Sequence, residues 1–196
     1  MPERGIRLVG SLRPLLIAAD TLLCLEAMIQ DAPPLSDSAS NFSFRLATTA
    51  DQPSLIPLIN SAFSIETFLE GTRTDEARLA FTMQQGEILI AEDPAGQPLA
   101  CVYTELRGNR GYLGQLAVDP AHQGSGLARR LVQAAEDRFR SLGCLAVDIT
   151  VLSLRPELPR IYRRYGYIET GTEEFHMTQS LKIGTECHCI AMSKKL

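Results

Sequence analysis

Residues 115–132, QLAVDPAHQGSGLARRLV, join an apolar run to an amphipathic one through a proline turn and two glycines one residue apart. The apolar run reads as a buried strand. Beyond the glycines, Leu127, Leu131, Ala135, Phe139 and Leu142 recur at spacings of four and three, with Arg129, Arg130, Gln133, Glu136, Asp137 and Arg140 between them. That is the pattern of a helix with one apolar face. Gly143 stands where a helix ends most easily in a left-handed residue. The next segment, LAVDITVL (145–152), is rich in β-branched residues and reads as a second strand. A strand, a helix and a strand in this order form a crossover unit, which makes the two strands parallel. A chain that contains it is neither all-helical nor purely antiparallel.

The rest of the chain supplies antiparallel partners. FRLA (44–47) is a short strand, and Thr49 or Asp51 is placed to cap a helix whose apolar positions are Leu55, Ile56, Leu58, Ile59, Ala62 and Phe63. A second helix is expected over 74–85. EILIAED (87–93) and PLACVYTEL (98–106) flank PAGQ as a hairpin, and RGNRG (107–111) turns the chain into GYLGQLAV, a third strand. After the crossover, Pro156 opens a helix that runs to Tyr165 and stops at Gly166, and strands follow near 167–175 and 186–193. The fold class is α/β: a mixed, mostly antiparallel central sheet with a strand–helix–strand crossover and flanking helices.

The organisation is a domain over 42–196 preceded by a 1–41 extension. In that extension, LRPLLIAADTLLCLEAMI (12–29) is apolar but carries Asp20 and Glu26, and its longest clean run is far short of the ~20 residues a membrane span needs. Asp20 also interrupts what would be a signal-peptide core behind Arg4, Arg7 and Arg13. A short helix with Pro14 in its first turn, tied on by DAPPLSDSASN (31–41), fits better.

A formal charge of −4 and a pI near 5.4 argue against a non-specific nucleic-acid binder, although 16 of the 19 basic residues are arginines able to form local anion sites. The five cysteines are odd in number and scattered, as expected of reduced core thiols in the cytoplasm. In Cys187-His188-Cys189 the alternation of a strand sends the imidazole away from the two thiols, so no metal site is expected.

Gln123-Gly124-Ser125-Gly126-Leu127-Ala128 lies between strand and helix, where free amides and the helix dipole favour an anion. A dinucleotide fingerprint would need a third glycine where Arg129 stands, and a triphosphatase loop would need Gly-Lys-Ser/Thr, which is absent. Glycines that merely relieve a tight turn explain the spacing equally well.

A second segment separates these readings. Gln123-x-x-Gly126-x-Ala128, followed by Tyr162 four residues before Gly166-Tyr167, resembles the two-part signature of the GNAT superfamily of N-acyltransferases. The resemblance extends over everything but the N-terminal forty residues. It implies an acetyl-CoA-dependent N-acetyltransferase acting by direct transfer, without a metal. The alternative is a non-catalytic acyl-CoA-binding module. The amides of Gly124, Ser125, Gly126, Leu127 and Ala128 would hold the cofactor pyrophosphate beside Gln123 and Arg129, and the backbone of Leu116, Ala117 and Val118 would hold the pantetheine arm and the oxyanion. Tyr162 falls on the position of the general acid. Many relatives carry a Glu or His base on the strand before the glycine turn, but here the stretch is Tyr112-Leu113-Gly114-Gln115. Glu66 is therefore the candidate base, with Glu70 and Glu105 as further options. Arg155 stands where many relatives have an Asn, free to pair with Asp148 or Glu157 or to bind an anion. The acceptor would be a small-molecule or peptide amine. No nucleic acid or membrane is involved, and the chain would act alone or as a homodimer.

Overall fold

A computed structural model describes residues 42–175 and 179–196; the N-terminal helix and linker expected over 1–41 lie outside the described residues. Seven strands form one sheet in the order β1-β2-β3-β4-β5-β7-β6. They are β1 (Ser43–Leu46), β2 (Glu87–Glu92), β3 (Pro98–Arg107), β4 (Arg110–Val118), β5 (Ala146–Leu152), β6 (Ile168–Glu174) and β7 (His188–Lys195). Only β4 and β5 pair in parallel among the described strands, and the helix between them is the expected crossover. The helices are α1 (Gln52–Ala62), α2 (Glu76–Gln85), α3 (Leu127–Ser141) and α4 (Glu157–Arg164).

Strand alternation divides the core between two faces. On one face Ile88, Ile90, Cys101 and Ala117 pack against Leu55, Leu58 and Ile59 of α1 and Leu79 of α2. On the other, Leu89, Val102, Leu113, Val147, Ile149 and Met192 meet the apolar stripe of α3 and Tyr162 of α4. The crossover helix sits very close to the sheet: a Cβ on Gly111 would fall 2.5 Å from the Phe139 ring. Beneath α3 the buried Glu136 carboxylate accepts from Tyr167 Oη at 3.0 Å and Lys194 Nζ at 2.5 Å, which ties the crossover to β7 and to the residue that leads into β6.

The start of α1 differs in detail from the expected cap. Thr48 caps a 3-10 turn over Thr49–Asp51, and α1 begins directly after it. The Asp51 carboxylate accepts from the Thr48 amide at 2.7 Å and from both terminal nitrogens of Arg45 at 2.8 and 2.9 Å. Asp51 thus binds strand β1 to the turn. The helix amides are not its partners.

Candidate active site

Strands β4 and β5 pair over four residues, from Arg110↔Ala146 to Leu113↔Ile149, and then separate. The cause lies on the other edge of β4. Tyr103 faces Gly114 and Cys101 faces Ala117, so Gln115 and Leu116 stand opposite the single residue Val102. This is a β-bulge, and Gln115 within it takes a left-handed conformation, with φ of +46°. The bulge turns the end of β4 away from β5. Asp119 donates its amide to Leu99 on the β3 side at 2.9 Å, so strand alternation turns the amides of Leu116 and Val118 toward the gap.

The gap opens a cleft of about 300 Å³ through the sheet, whose lining includes Leu116, Val118, Gln123, Ala128 and Tyr162. A wider cleft of about 700 Å³ lies on the α1/α2 face, beside Phe81, Tyr103, Tyr112 and Cys189. Arg73, Gly114, Gln115, Thr150 and Leu152 line both, so the two clefts meet where β4 leaves β5.

The glycine turn borders the smaller cleft. Gly124 and Gly126 have φ of +76° and +85°, and a Cβ on either would meet nothing within 4 Å. Their conformation calls for glycine, and the space around them is open to an incoming group. Arg130 makes the first helical bond, to the Gly126 carbonyl at 3.2 Å, which leaves the amides of Leu127, Ala128 and Arg129 above it without helical acceptors. Ser125 Oγ donates to the His122 carbonyl at 2.6 Å and fixes the turn. Gln123 Nε2 donates to the Val118 carbonyl at 3.3 Å, joining the turn to the end of β4. The Arg129 side chain is exposed on the first turn, whereas the Arg130 guanidinium lies over the Phe42 ring at 4.4 Å.

Tyr162 is buried in the lining of this cleft, with Tyr165 and Tyr167 edge to face at 5.9 and 5.6 Å. Desolvation by these neighbours pushes its phenol well above the ordinary tyrosine value. Glu66 enters the same cleft from the α1–α2 loop. Both of its oxygens are engaged: Oε2 accepts from Arg73 and Oε1 from Arg155, each at 3.1 Å. Burial pushes its carboxyl up, and the two guanidiniums oppose that push. Arg155 also holds Glu157 at 2.5 Å, whereas Asp148, its other expected partner, is taken by Arg110. Glu105 faces the wider cleft, where it accepts from Arg107 at 2.8 Å and Tyr103 at 3.2 Å. Glu70 is exposed and lines neither cleft.

The structure therefore gathers Leu116, Val118, Gln123, Ala128, Tyr162 and Glu66 around one cleft. Ala117 alternates onto the opposite face, its side chain buried under α1. Sequence reasoning missed the bulge at Gln115, the Arg73–Glu66–Arg155 cluster and the junction at Gly114. Only the last had a signal, a glycine inside a strand pattern.

The model of the Acetyltransferase (GNAT) family matches residues 54–167. Glucosamine 6-phosphate N-acetyltransferase 1 of Oryza sativa subsp. japonica is 31% identical over 94 residues, which are 44% of this chain and 55% of that protein. The chain thus spans about half the length of the Oryza relatives it matches. The ribosomal-protein-S18-alanine N-acetyltransferase of Escherichia coli shares the fold, with a TM-score of 0.63 at 17% identity over 79% of this chain and 93% of that one. So does a Salmonella typhimurium protein solved with its cofactor acetyl-CoA, with a TM-score of 0.61 at 23% identity over 80% of this chain and 94% of that one.

Proposed function

We propose that this chain, which belongs to the acetyltransferase (GNAT) family, transfers the acetyl group of acetyl-CoA to a primary amine by direct attack in a ternary complex, using residues 42–196. The observation that carries this reading is the meeting of Gln123 and Ala128, the two ends of the glycine turn, with the β4/β5 gap and the buried Tyr162 on one cleft; Gly124 to Leu127 and Arg129 lie outside its lining. The amides at the start of α3, of which Leu127 donates to Ser125 Oγ at 3.4 Å while Ala128 and Arg129 lack helical acceptors, supply the positive end of a helix to a pyrophosphate, so phosphate binding needs no metal. The inward amides of Leu116 and Val118 suit an extended pantetheine arm laid into the gap like another strand.

In the transfer, the amine nitrogen forms a bond to the thioester carbon and the C–S bond breaks. A backbone amide of the 116–118 segment meets the carbonyl oxygen as it gains charge. Tyr162 gives its proton to the departing thiolate, and the proton shed by the amine returns to the phenolate through solvent. Glu66 is read as the anchor of Arg73 and Arg155, each of which takes one lone pair on one of its oxygens. A covalent cysteine intermediate has little support: burial pushes the Cys101 thiol up to about 12, far from a reactive thiolate.

The acceptor is a small-molecule or peptide amine, in keeping with the glucosamine phosphate and ribosomal-protein alanine named for the relatives. The buried, reduced thiols of Cys101 and Cys144 suit a cytoplasmic enzyme. Two measurements test the reading. Acetyl-CoA at a hundred times its Kd should stabilise the protein by ~2.7 kcal/mol, seen as a rise in Tm. Thiol release should then appear with at least one member of an amine panel that includes glucosamine 6-phosphate, spermidine and a peptide with a free N-terminus. Binding without any turnover would reassign the chain to an acyl-CoA-binding module, and no binding would overturn both readings.

A further inference from the structure

The two clefts differ in charge. In the described lining of the wider one, Arg73, Arg78 and Arg107 stand with Glu105, Glu173 and Glu174, so its charges balance. The charged residues in the described lining of the smaller cleft are Glu66, Arg73 and Arg155, which leave it one positive charge in excess.

Both arginines are held in place. The Arg73 guanidinium lies over the Phe63 ring at 4.5 Å. Arg155 is fixed between β5 and α4, where its amide donates to the Leu152 carbonyl at 2.9 Å and its carbonyl accepts from the Leu158 amide at 3.0 Å. Glu66 bridges the pair with one oxygen to each, and the two arginine side chains are 11% and 17% exposed. Glu157 also holds Arg155, but its carboxylate is half exposed and lines neither cleft. A guanidinium has five N–H groups in a fixed fork. Arg155 directs Nε to Glu157 and Nη1 to Glu66, and its Nη2 bonds to no described residue.

We infer that the acceptor carries an anionic group beside its amine, a carboxylate or a phosphate, which Arg155 and Arg73 bind at the junction of the two clefts. The inference names the substrate class of the acetyltransferase reading above and rests on it. Planar forks of charged donors suit the oxygens of both groups. Inside the smaller cleft two desolvated cations share one carboxylate, so a second anion there completes the compensation that burial demands. Position gives that anion to the acceptor rather than to the phosphates of acetyl-CoA. The ends of the glycine turn, Gln123 and Ala128, line the smaller cleft alone, whereas Arg73 also lines the wider one, through which an acceptor can approach. A polyamine has no anionic group, and the same cluster would repel its charges.

The test measures kcat/KM with acetyl-CoA on matched amines: glucosamine 6-phosphate and glucosamine, a dialanine peptide as free acid and as C-terminal amide, and spermidine. In wild type the anionic member of at least one pair should be preferred by about tenfold or more, the size of one hydrogen bond to a charged group, and should exceed spermidine. The pair that discriminates tells a phosphate from a carboxylate. Arg155→Gln should shrink that preference, mainly through the KM of the amine, with acetyl-CoA Kd within twofold of wild type. Should this variant fail to fold, Arg155→Lys keeps a cation beside Glu66 and should still lose part of the preference, because an ammonium lacks the planar fork. Turnover that shows no preference within either pair, or that favours spermidine, overturns the inference. So does a preference that survives unchanged in whichever variant folds. A loss on the amine matched by an equal loss of acetyl-CoA affinity also overturns it, because Arg155 would then serve the cofactor. Wild type that binds acetyl-CoA but acetylates no amine would instead remove the acetyltransferase reading, and this inference with it.

Discussion

Tyr162 is packed between two other rings, and that packing decides how its chemistry depends on pH. A phenol in water ionises near ~10, and burial moves this one upward, so it holds its proton throughout the range in which amines are acetylated. Activity lost through Tyr162 ionisation should therefore appear above pH ~10. Tyr162→Phe should lower kcat by ~100-fold or more while acetyl-CoA Kd stays constant, which steady-state kinetics and calorimetry can separate. Glu66→Gln distinguishes a clamp from a base. As a clamp it leaves Arg73 and Arg155 with a buried uncharged partner, and the denaturation midpoint should fall by the equivalent of ~3 kcal/mol. A base would add to that a loss of turnover in the protein that remains folded. Tyr162 was legible in the sequence because its signature is local, a tyrosine four residues before Gly166-Tyr167. The partners of Glu66 were not: Arg155 lies 89 positions away, and no periodicity connects the two.

The turns between elements hold the most informative conformations. Gly126 opens α3 with a left-handed φ in open space, so an added methyl meets no atom and its cost is backbone strain alone. Gly126→Ala should destabilise the fold by ~1–2 kcal/mol in urea denaturation and weaken acetyl-CoA binding as the amides turn. At the start of α1, Arg45 holds the Asp51 carboxyl far below its ordinary value. The unfolded chain therefore takes up that proton first. The stabilisation from Asp51 is complete above pH ~4 and is lost as pH falls from there toward the folded value. Asp51→Asn should cost ~2 kcal/mol at pH 7, with the difference from wild type shrinking in acid melts. The helices and strands were legible because their periods of about 3.6 and 2 are written in the apolar residues. The 3-10 turn before α1 and the bulge at Gln115 carry no period; each follows from contacts with β1 or β3 that form only once the sheet exists.

Across the whole molecule, the helices divide the labour of covering the sheet unequally. α3 and α4 close one face, while α1 and α2 pack on the other only against the β1–β4 end. The rest of that second face, with Tyr112, Thr150, Leu152 and Cys189, forms the floor of the wider cleft. The sequence announced the crossover and hence the parallel pair, but not where the pair would part.

That parting leaves β4 with two kinds of backbone. Leu113 is in register with Ile149, whereas Leu116 and Val118 turn their amides toward a neighbour that has moved away. A single strand should therefore divide in its hydrogen–deuterium exchange: slow over Gly111 to Leu113, and fast at Leu116 and Val118. Added acetyl-CoA should slow the second group alone, so that the ligand is registered as the missing half of a β-ladder.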